Sequence, residues 1–600
     1  MSEQSSREKQ CNQADPGTKK SATQDSREQS DAPRSKSRRR FLGNARGAAM
    51  AAATVGAFGL EPILGGKRLV ASASDNDGDS RGFERAEQSA EIRMGAAKGE
   101  EKVAIPPHAT NGDEERYADK CGTYTKALLQ DNPGLVNQNA FRSFKAALRS
   151  GNPEDFEEII LGGGRKLTDP QAGLAFDLEG CDSHQLGSAP APLCQETVVV
   201  VPPAPALASA AYGTELIELY WASLLRDIPF TQYATNAVAA QAAKELSGLP
   251  EYAGPRNGGQ VTPDLLFRGA FPGETAGPYV SQFFITPTFL GQQPISQQMM
   301  TYQPDFDYLT DPATWALIQN GGSTGLANQE DPQPRFPHRG RDLAAWTHID
   351  MLYQGYFVAF LVLSSIGAPA NPGNPYFHSK TQIGFGTFGA PHIAGMLGEV
   401  AYRALERSWY QKWFVHLRHR PESGGGIAQL IKTGQGSSID GSLNKNVLNS
   451  EALDSSFKKY KSYLLSQAFP EGSPTHPSYP TGHGVVAGAC ITILKFFMDG
   501  NYVIQNPVVP ADDGLSLVPY TGSDANQLTV NGELNKLAHN VTFGHGIHAG
   551  IHWRSDSDVS MVLGEATAIS VLHDQLKTMN QKFTVQFTKL DGTTATISNQ

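Results

Sequence analysis

The sequence predicts a mainly α-helical fold of the large helical-bundle kind, on three observations. Apolar residues recur at helical spacing in several long segments, strand-like alternation is confined to the last few residues, and Gly- and Pro-containing runs punctuate the helical stretches. Asn139 to Leu148 and Ala208 to Leu225 are amphipathic, and Tyr233 to Leu246 is rich in strong helix formers. Leu161-Gly162-Gly163-Gly164 breaks the pattern between them. Asp342 to Ile366 contains the most apolar run, Tyr356 to Leu363. That run falls short of the ~20 residues a membrane span needs and predicts a central core helix. Asp350, nearly two turns before it, requires a cationic partner if buried. Pro391 to about His419 predicts a long helix ended by Arg420-Pro421. Another helix opens at Pro480-Thr481-Gly482-His483 and continues through Phe496, and a third runs from about Asn540 through Trp553. Phe583 to Phe587 and Thr594 to Ile597 predict a hairpin that turns at Asp591-Gly592.

A chain of 600 residues can bury a sizeable core, and 61 Gly with 38 Pro suggest a globular protein with long irregular connections. Four parts are expected: 1–73 as an export signal, 74–105 as a polar linker or arm, 106–340 as an N-terminal helical part and 341–600 as a C-terminal one. The signal reading rests on Ser37-Arg38-Arg39-Arg40-Phe41-Leu42 ahead of the Ala-rich stretch Ala48 to Leu64, with Ala71-Ser72-Ala73 as a cleavage site. This resembles a twin-arginine leader, cut near Ser74, for a periplasmic or extracellular protein. Residues 1–73 hold 13 Lys or Arg and 7 Asp or Glu, so a chain of net charge −10 carries −16 outside the leader. That balance argues against nucleic acid as a partner, and no stable membrane insertion is expected. Cys11 leaves with the leader, Cys181 and Cys194 are equally readable as a disulfide or as free thiols, and Cys490 reads as buried packing. No metal-binding CxxC spacing involves these or Cys121.

Three segments carry candidate chemistry. Lys412 and Arg420 lie eight residues apart, about two turns on one helical face, so both cations can address one ligand. The bland alternative is a solvated basic face. In His476-Pro477-Ser478-Tyr479-Pro480-Thr481-Gly482-His483 a hydroxyl, a Gly amide and an imidazole follow one another at a helix N-terminus, where the dipole favours an anion. Thr481 acting only as an N-cap is the plainer reading. His545, His548 and His552 recur at helical spacing and suggest a site, without showing which of them binds.

These segments, in this order, resemble the vanadium-dependent haloperoxidases and in particular the marine algal bromoperoxidases. Supporting similarity lies in Leu266-Phe267-Arg268-Gly269, Gly277 to Phe283, Arg341-Asp342-Leu343 with Tyr353-Gln354, and Ser379 to Gly384. The resemblance implies two four-helix bundles and a vanadate cofactor, with a structural calcium and a homo-oligomer as further implications. By the same resemblance His552 would be the axial ligand of vanadium. Lys412, Arg420, Thr481 and Gly482 would hold the oxyanion, and His483 would be the acid-base residue. Lys412 would also polarise hydrogen peroxide, so that bromide or iodide is oxidised to hypohalous acid for small organic acceptors. His476 matches a histidine of bromoperoxidases where chloroperoxidases carry an aromatic, and Trp409 would wall the halide side. Two positions depart from the family pattern. Thr481 stands for a serine, and the family arginine six residues before the axial histidine falls on Gly546, or on His545 when counted from Asn540 with one residue inserted before Gly550. Asp350 matches that arginine's acidic partner, so His545 or His548 is expected to take the arginine's place beside it. An acid phosphatase of the related superfamily and an inactive oxyanion-binding homologue are the competing functions.

Overall fold

The computed structural model describes residues 77–101, 108–175, 201–436 and 438–599. The expected leader with its cleavage site, Cys11, Cys181 and Cys194 lie outside the described residues. Helix α1, Asp77–Glu101, falls within the stretch expected to be a polar linker or arm. Its Glu, Arg, Ala, Gln and Lys content favours helix without supplying an apolar stripe.

From residue 89 to the C-terminus the chain forms one unit. Helix α2, Gln138–Ser150, starts where the Asn137 side chain accepts hydrogen bonds from the Asn139 and Ala140 amides. It ends at Gly151 in the left-handed region, and it buries Phe141, Phe144 and Leu148. Helices α3, Ala210–Leu225, and α4, Ala237–Ser247, are capped by Ser209 and Asn236. Tyr233 lies in the 3-10 turn before α4 rather than in the helix itself.

The segment read as one apolar helix from Asp342 to Ile366 is two helices, α5, Gly340–His348, and α6, Gln354–Ser365. The break between them carries Asp350. Helix α6 buries Tyr356, Ala359, Phe360 and Leu363, while Phe357, Val358 and Leu361 are only half-buried, so it flanks the core rather than forming its centre.

Helix α7, Ala390–Tyr410, continues into a π-turn over Gln411–His416, and α8, Pro421–Lys432, follows a short extended step. The central position belongs to α9, Gly482–Phe497, where every residue except His483 is buried. Helix α10, Val530–Phe543, leads through a second π-turn, Gly544–His548, towards α11, Arg554–Leu576. Gly488 lets α9 and α11 cross closely, since a Cβ there would sit 1.9 Å from the Met561 carbonyl oxygen. Val485, Leu494, Leu397, Val400, Leu563 and Leu572 fill the shared core, each contributing about 1.5–3 kcal/mol by burial.

The C-terminal hairpin forms as expected, β1, Thr584–Thr588, pairing antiparallel with β2, Thr594–Ser598, with Val585 opposite Ile597. Both of those side chains join the core. Cys121 and Cys490 are buried free thiols. Among the described residues, no helix is long and apolar enough to cross a membrane.

Candidate active site

Lys412 and Arg420 meet, but not as two turns of one helix. The π-turn at the end of α7 closes with the Leu417 amide on the Lys412 carbonyl at 3.1 Å, and Leu417 takes a left-handed conformation at φ 45°. The chain then leaves the helix, and Arg420 becomes the N-cap residue of α8, with Pro421 at its first position. The two cations therefore approach from the end of one helix and the start of the next. Eight-residue spacing suggested the convergence for the wrong geometric reason.

Lys412 Nζ donates to the carbonyls of Pro477 at 2.9 Å and Ser478 at 2.7 Å, which leaves one of its three hydrogens for the pocket. Arg420 donates from Nε to the His476 carbonyl at 2.9 Å and from Nη1 to the Ile551 carbonyl at 3.0 Å. It also donates from Nη1 to His552 Nε2 at 2.7 Å and from Nη2 to His476 Nδ1 at 3.0 Å. Both cations are fully buried. Burial, and then the charge of Arg420, holds Lys412 well below the ordinary lysine range, while burial pulls Arg420 down to about 10. Such a pair is stabilised by an anion.

Thr481 occupies the N-cap position of α9, yet its hydroxyl makes no capping bond and Oγ1 is buried without a partner. The capping explanation therefore fails. An unspent hydroxyl sits beside the first amides of a helix, where N–H groups have no intrahelical acceptor. Gly482 is buried at that first turn, with Trp409 and Leu405 near where a Cβ would stand.

His552 lies on the link between the second π-turn and α11. Its Nδ1 is 2.9 Å from Asp556 Oδ2, which also receives the Trp553 amide at 3.1 Å and the Ser478 hydroxyl. The carboxylate holds the proton on Nδ1 and leaves the Nε2 lone pair towards the pocket, the arrangement a metal-binding imidazole requires. Burial, followed by the charges of Arg420 and Lys412, keeps the ring neutral by pushing its pKa well down. Asp556 Oδ1 in turn pairs with buried Arg418 at 2.6 Å, and Arg418 reaches Glu215 at 2.8 Å. Sequence reading missed Asp556, Arg418 and Glu215. The four-residue step from His552 to Asp556 was the available signal.

The π-turn over Gly544–His548 decides which side chain of this segment meets His483. The Ala549 amide bonds to the Gly544 carbonyl at 3.2 Å, a five-residue step that accommodates one extra residue in the helix. That extra residue brings the His545 side chain, rather than position 546, against His483. The His545 ring stacks on His483 with centroids 3.7 Å apart and lies 5.4 Å from the His552 ring. His545 Nδ1 is buried without a partner, and burial followed by His483, His552, Arg420 and Lys412 pushes its pKa well down.

His548 turns away instead. Its Nε2 meets the Tyr279 hydroxyl at 2.9 Å, its carbonyl accepts from Arg226 Nε at 2.6 Å, and burial lowers its pKa to about 3. Asp350 pairs with neither of the two histidines expected beside it. Its Oδ1 lies 2.9 Å from His483 Nε2, and Oδ2 is buried without a partner. His476 packs on Trp409 at 4.8 Å, and burial followed by Arg420 and Lys412 holds its pKa well down. Lys412 Nζ lies 5.9 Å from the Trp409 ring centre.

The pocket suits an oxyanion with an imidazole ligand, on the unspent Thr481 hydroxyl, the crowded cations and the acceptor Nε2 of His552, on which only Arg420 now donates. Comparisons with known proteins agree with that chemistry. A family model described as the VCPO second helical-bundle domain matches residues 396–581. A vanadium-dependent bromoperoxidase of Ascophyllum nodosum is 33% identical over 87% of this chain and 94% of its own length. One from Corallina officinalis is 32% identical over 84% and 94%. The solved structure of the second vanadate-dependent bromoperoxidase of Ascophyllum nodosum, described as a homohexamer, superposes with a TM-score of 0.80. It shares 30% sequence identity and covers 89% of this chain and 94% of its own. With this identity over most of its length, the chain belongs to the vanadium-dependent haloperoxidase family, among the algal-type bromoperoxidases.

Proposed function

We propose that this chain uses vanadate to oxidise bromide, and iodide as well, with hydrogen peroxide and one proton, giving hypohalous acid and water. The observation that carries the reading is the contact of His552 Nδ1 with Asp556, which favours the proton on Nδ1 and leaves Nε2 as an acceptor beside Arg420, in the pocket of Lys412 and the free Thr481 hydroxyl. When bound, vanadate supplies a Lewis-acid centre that activates peroxide towards a halide without changing its own oxidation state. Lys412 and Arg420 balance the charge of the oxyanion, and Thr481 and Gly482 donate hydrogen bonds to its oxygens. Asp350 accepts a hydrogen bond from His483 Nε2, which leaves Nδ1 as the atom that takes and returns a proton. Lys412 directs its remaining N–H at peroxide, while His476 and Trp409 wall the halide side.

The competing phosphatase chemistry would use the same histidine as a phosphoryl acceptor. Reconstituting the protein with vanadate and assaying peroxide-dependent bromination of a phenol dye beside hydrolysis of a phosphomonoester separates the two. Bromination without hydrolysis is expected, hydrolysis without bromination overturns the proposal, and neither activity marks an inactive oxyanion binder.

We also infer a homo-oligomer, supported by the homohexameric relative, and small organic acceptors for the hypohalous acid. Export by the twin-arginine route to the periplasm or beyond is proposed from Arg38-Arg39-Arg40 and the apolar stretch after it. N-terminal sequencing of the exported protein tests this, with a start near Ser74 expected. A structural calcium is a further proposal from the resemblance alone, with no ligands assigned to it.

A further inference from the structure

Among the residues expected to hold the oxyanion, His483 is the least buried. Lys412, Arg420, Thr481 and His552 are 0% exposed, His476, His545 and Trp409 lie between 7% and 9%, and the His483 side chain reaches 11%. The side of the site nearest solvent is therefore the one that carries His483. Asp350 grips that imidazole from the break between α5 and α6, and the residues on either side of Asp350 are the exposed apolar pair Ile349, at 73%, and Met351, at 61%. A thioether thus stands exposed one residue along the chain from Asp350, the carboxylate that holds His483.

From this placement, and resting on the haloperoxidase reading above, we infer that Met351 is a turnover-dependent oxidation site, where hypohalous acid leaving the pocket converts the thioether to a sulfoxide. The sulfur lone pair attacks the halogen of hypobromous acid and releases hydroxide. Water then adds at sulfur, and bromide leaves with the bonding pair as two protons are lost. Sulfur is oxidised by two electrons and bromine falls from +1 to bromide, so the net change is thioether plus HOBr to sulfoxide plus Br⁻ and H⁺. Ile349 has no group that reacts in this way, which makes Met351 the reactive member of the pair. The product replaces an apolar side chain beside Asp350 with a polar acceptor.

Met94 and Met300, 46% and 45% exposed, are internal controls, because their segments carry no residue of the site. The vanadate-loaded protein is turned over with bromide and hydrogen peroxide, with dye bromination followed in parallel, and its peptides are examined by mass spectrometry. A second sample receives the same total dose of reagent hypobromite with no peroxide. Generation beside the side chain should raise oxidation of Met351 over both controls by about tenfold during turnover, through local concentration. Reagent hypobromite should mark the three residues in rough proportion to exposure. Bromination of the dye with the three methionines oxidised alike overturns the inference and leaves the enzymatic reading standing. Equal oxidation of Met351 when bromide is omitted also overturns it, since the oxidant is then not the hypohalous acid. Absence of dye bromination removes the enzymatic reading and this inference together.

Discussion

Replacing His545 with arginine (His545→Arg) puts a permanent cation where the structure holds a neutral imidazole, and the pocket shows what that should do. The donors left for an oxyanion are few. Lys412 has committed two N–H groups to carbonyls, and Arg420 has placed four of its five on protein acceptors. A second guanidinium adds a two-pronged contact, and Asp350 Oδ2, buried and unpartnered, is ready to receive its remaining hydrogens. Charge-assisted contacts of this kind contribute about 2–4 kcal/mol. Crowding a third cation beside Lys412 and Arg420, and losing the stack on His483, offsets part of it. Vanadate should therefore bind about 10- to 100-fold more tightly, at about 1.4 kcal/mol per tenfold. The assay is calorimetric titration of the vanadate-free protein with orthovanadate across mildly acidic to neutral pH. In the unsubstituted protein the His545 pKa is held well below the imidazole range, chiefly by burial, so the ring is neutral until an anion arrives. Binding then takes up a proton, and affinity rises as pH falls. The arginine variant, always charged, should lose that part of the slope and also controls for the titration of vanadate itself. Equal affinities, or an unsubstituted protein whose affinity does not change with pH, would refute the assignment of His545 to the arginine's position.

Asp556→Asn should weaken vanadate binding about 10- to 100-fold by releasing the His552 tautomer. The same change should lower stability towards the lower end of the about 3–5 kcal/mol for a broken buried pair, since Arg418 keeps Glu215. Vanadate titration and thermal unfolding measure the two effects separately. His476→Phe keeps the packing on Trp409 but frees the Arg420 Nη2 hydrogen that now points at His476 Nδ1. A stronger pull on the oxyanion should then make chloride oxidation measurable, read as chloride-dependent chlorination of the dye. Burial alone would raise the pKa of Asp342, but His338, Arg339 and Thr301 together outweigh it and bring it from 3.8 to about 2. A depressed carboxylate stabilises above its unfolded pKa, so about 2 kcal/mol should be present above pH 4 and disappear as pH falls from about 4 to about 2. Denaturant unfolding of Asp342→Asn across that window should lose the corresponding slope.

The helices and the anion-holding residues were legible because their signals are local. Asn137, Ser209 and Asn236 cap the helices that periodicity predicted, and Pro421 starts α8 where a proline should. Contacts made across the fold were much harder to read. Nothing in the apolar run of Tyr356 to Leu363 tells it apart from Val485 to Phe497 as the central helix, because centrality depends on what lies on the other side. Likewise, the acidic partner of Arg418 comes from Asp556 and Glu215, 138 and 203 residues away.

The histidine segment shows the sharpest limit of counting. At 3.6 residues per turn a shift of one residue rotates a side chain by about 100°, enough to move it from the pocket to the far side of the helix. His545, His548 and His552 share one face only if the helix is regular throughout. The π-turn breaks that regularity: His545 is brought onto His483, His548 is sent to Tyr279, and His552 is carried past a left-handed Gly550 at φ 82° to face Arg420. The Lys412 segment has the same device, a π-turn ended by a left-handed Leu417. In both places an irregular turn lets neighbouring side chains converge on a point that a straight helix would have them pass, and hydrogen-bond register of that kind is set by packing against the rest of the fold rather than by residue type. Register, more than residue type, thus decides which side chain of this segment faces His483, and in this chain it is the imidazole of His545.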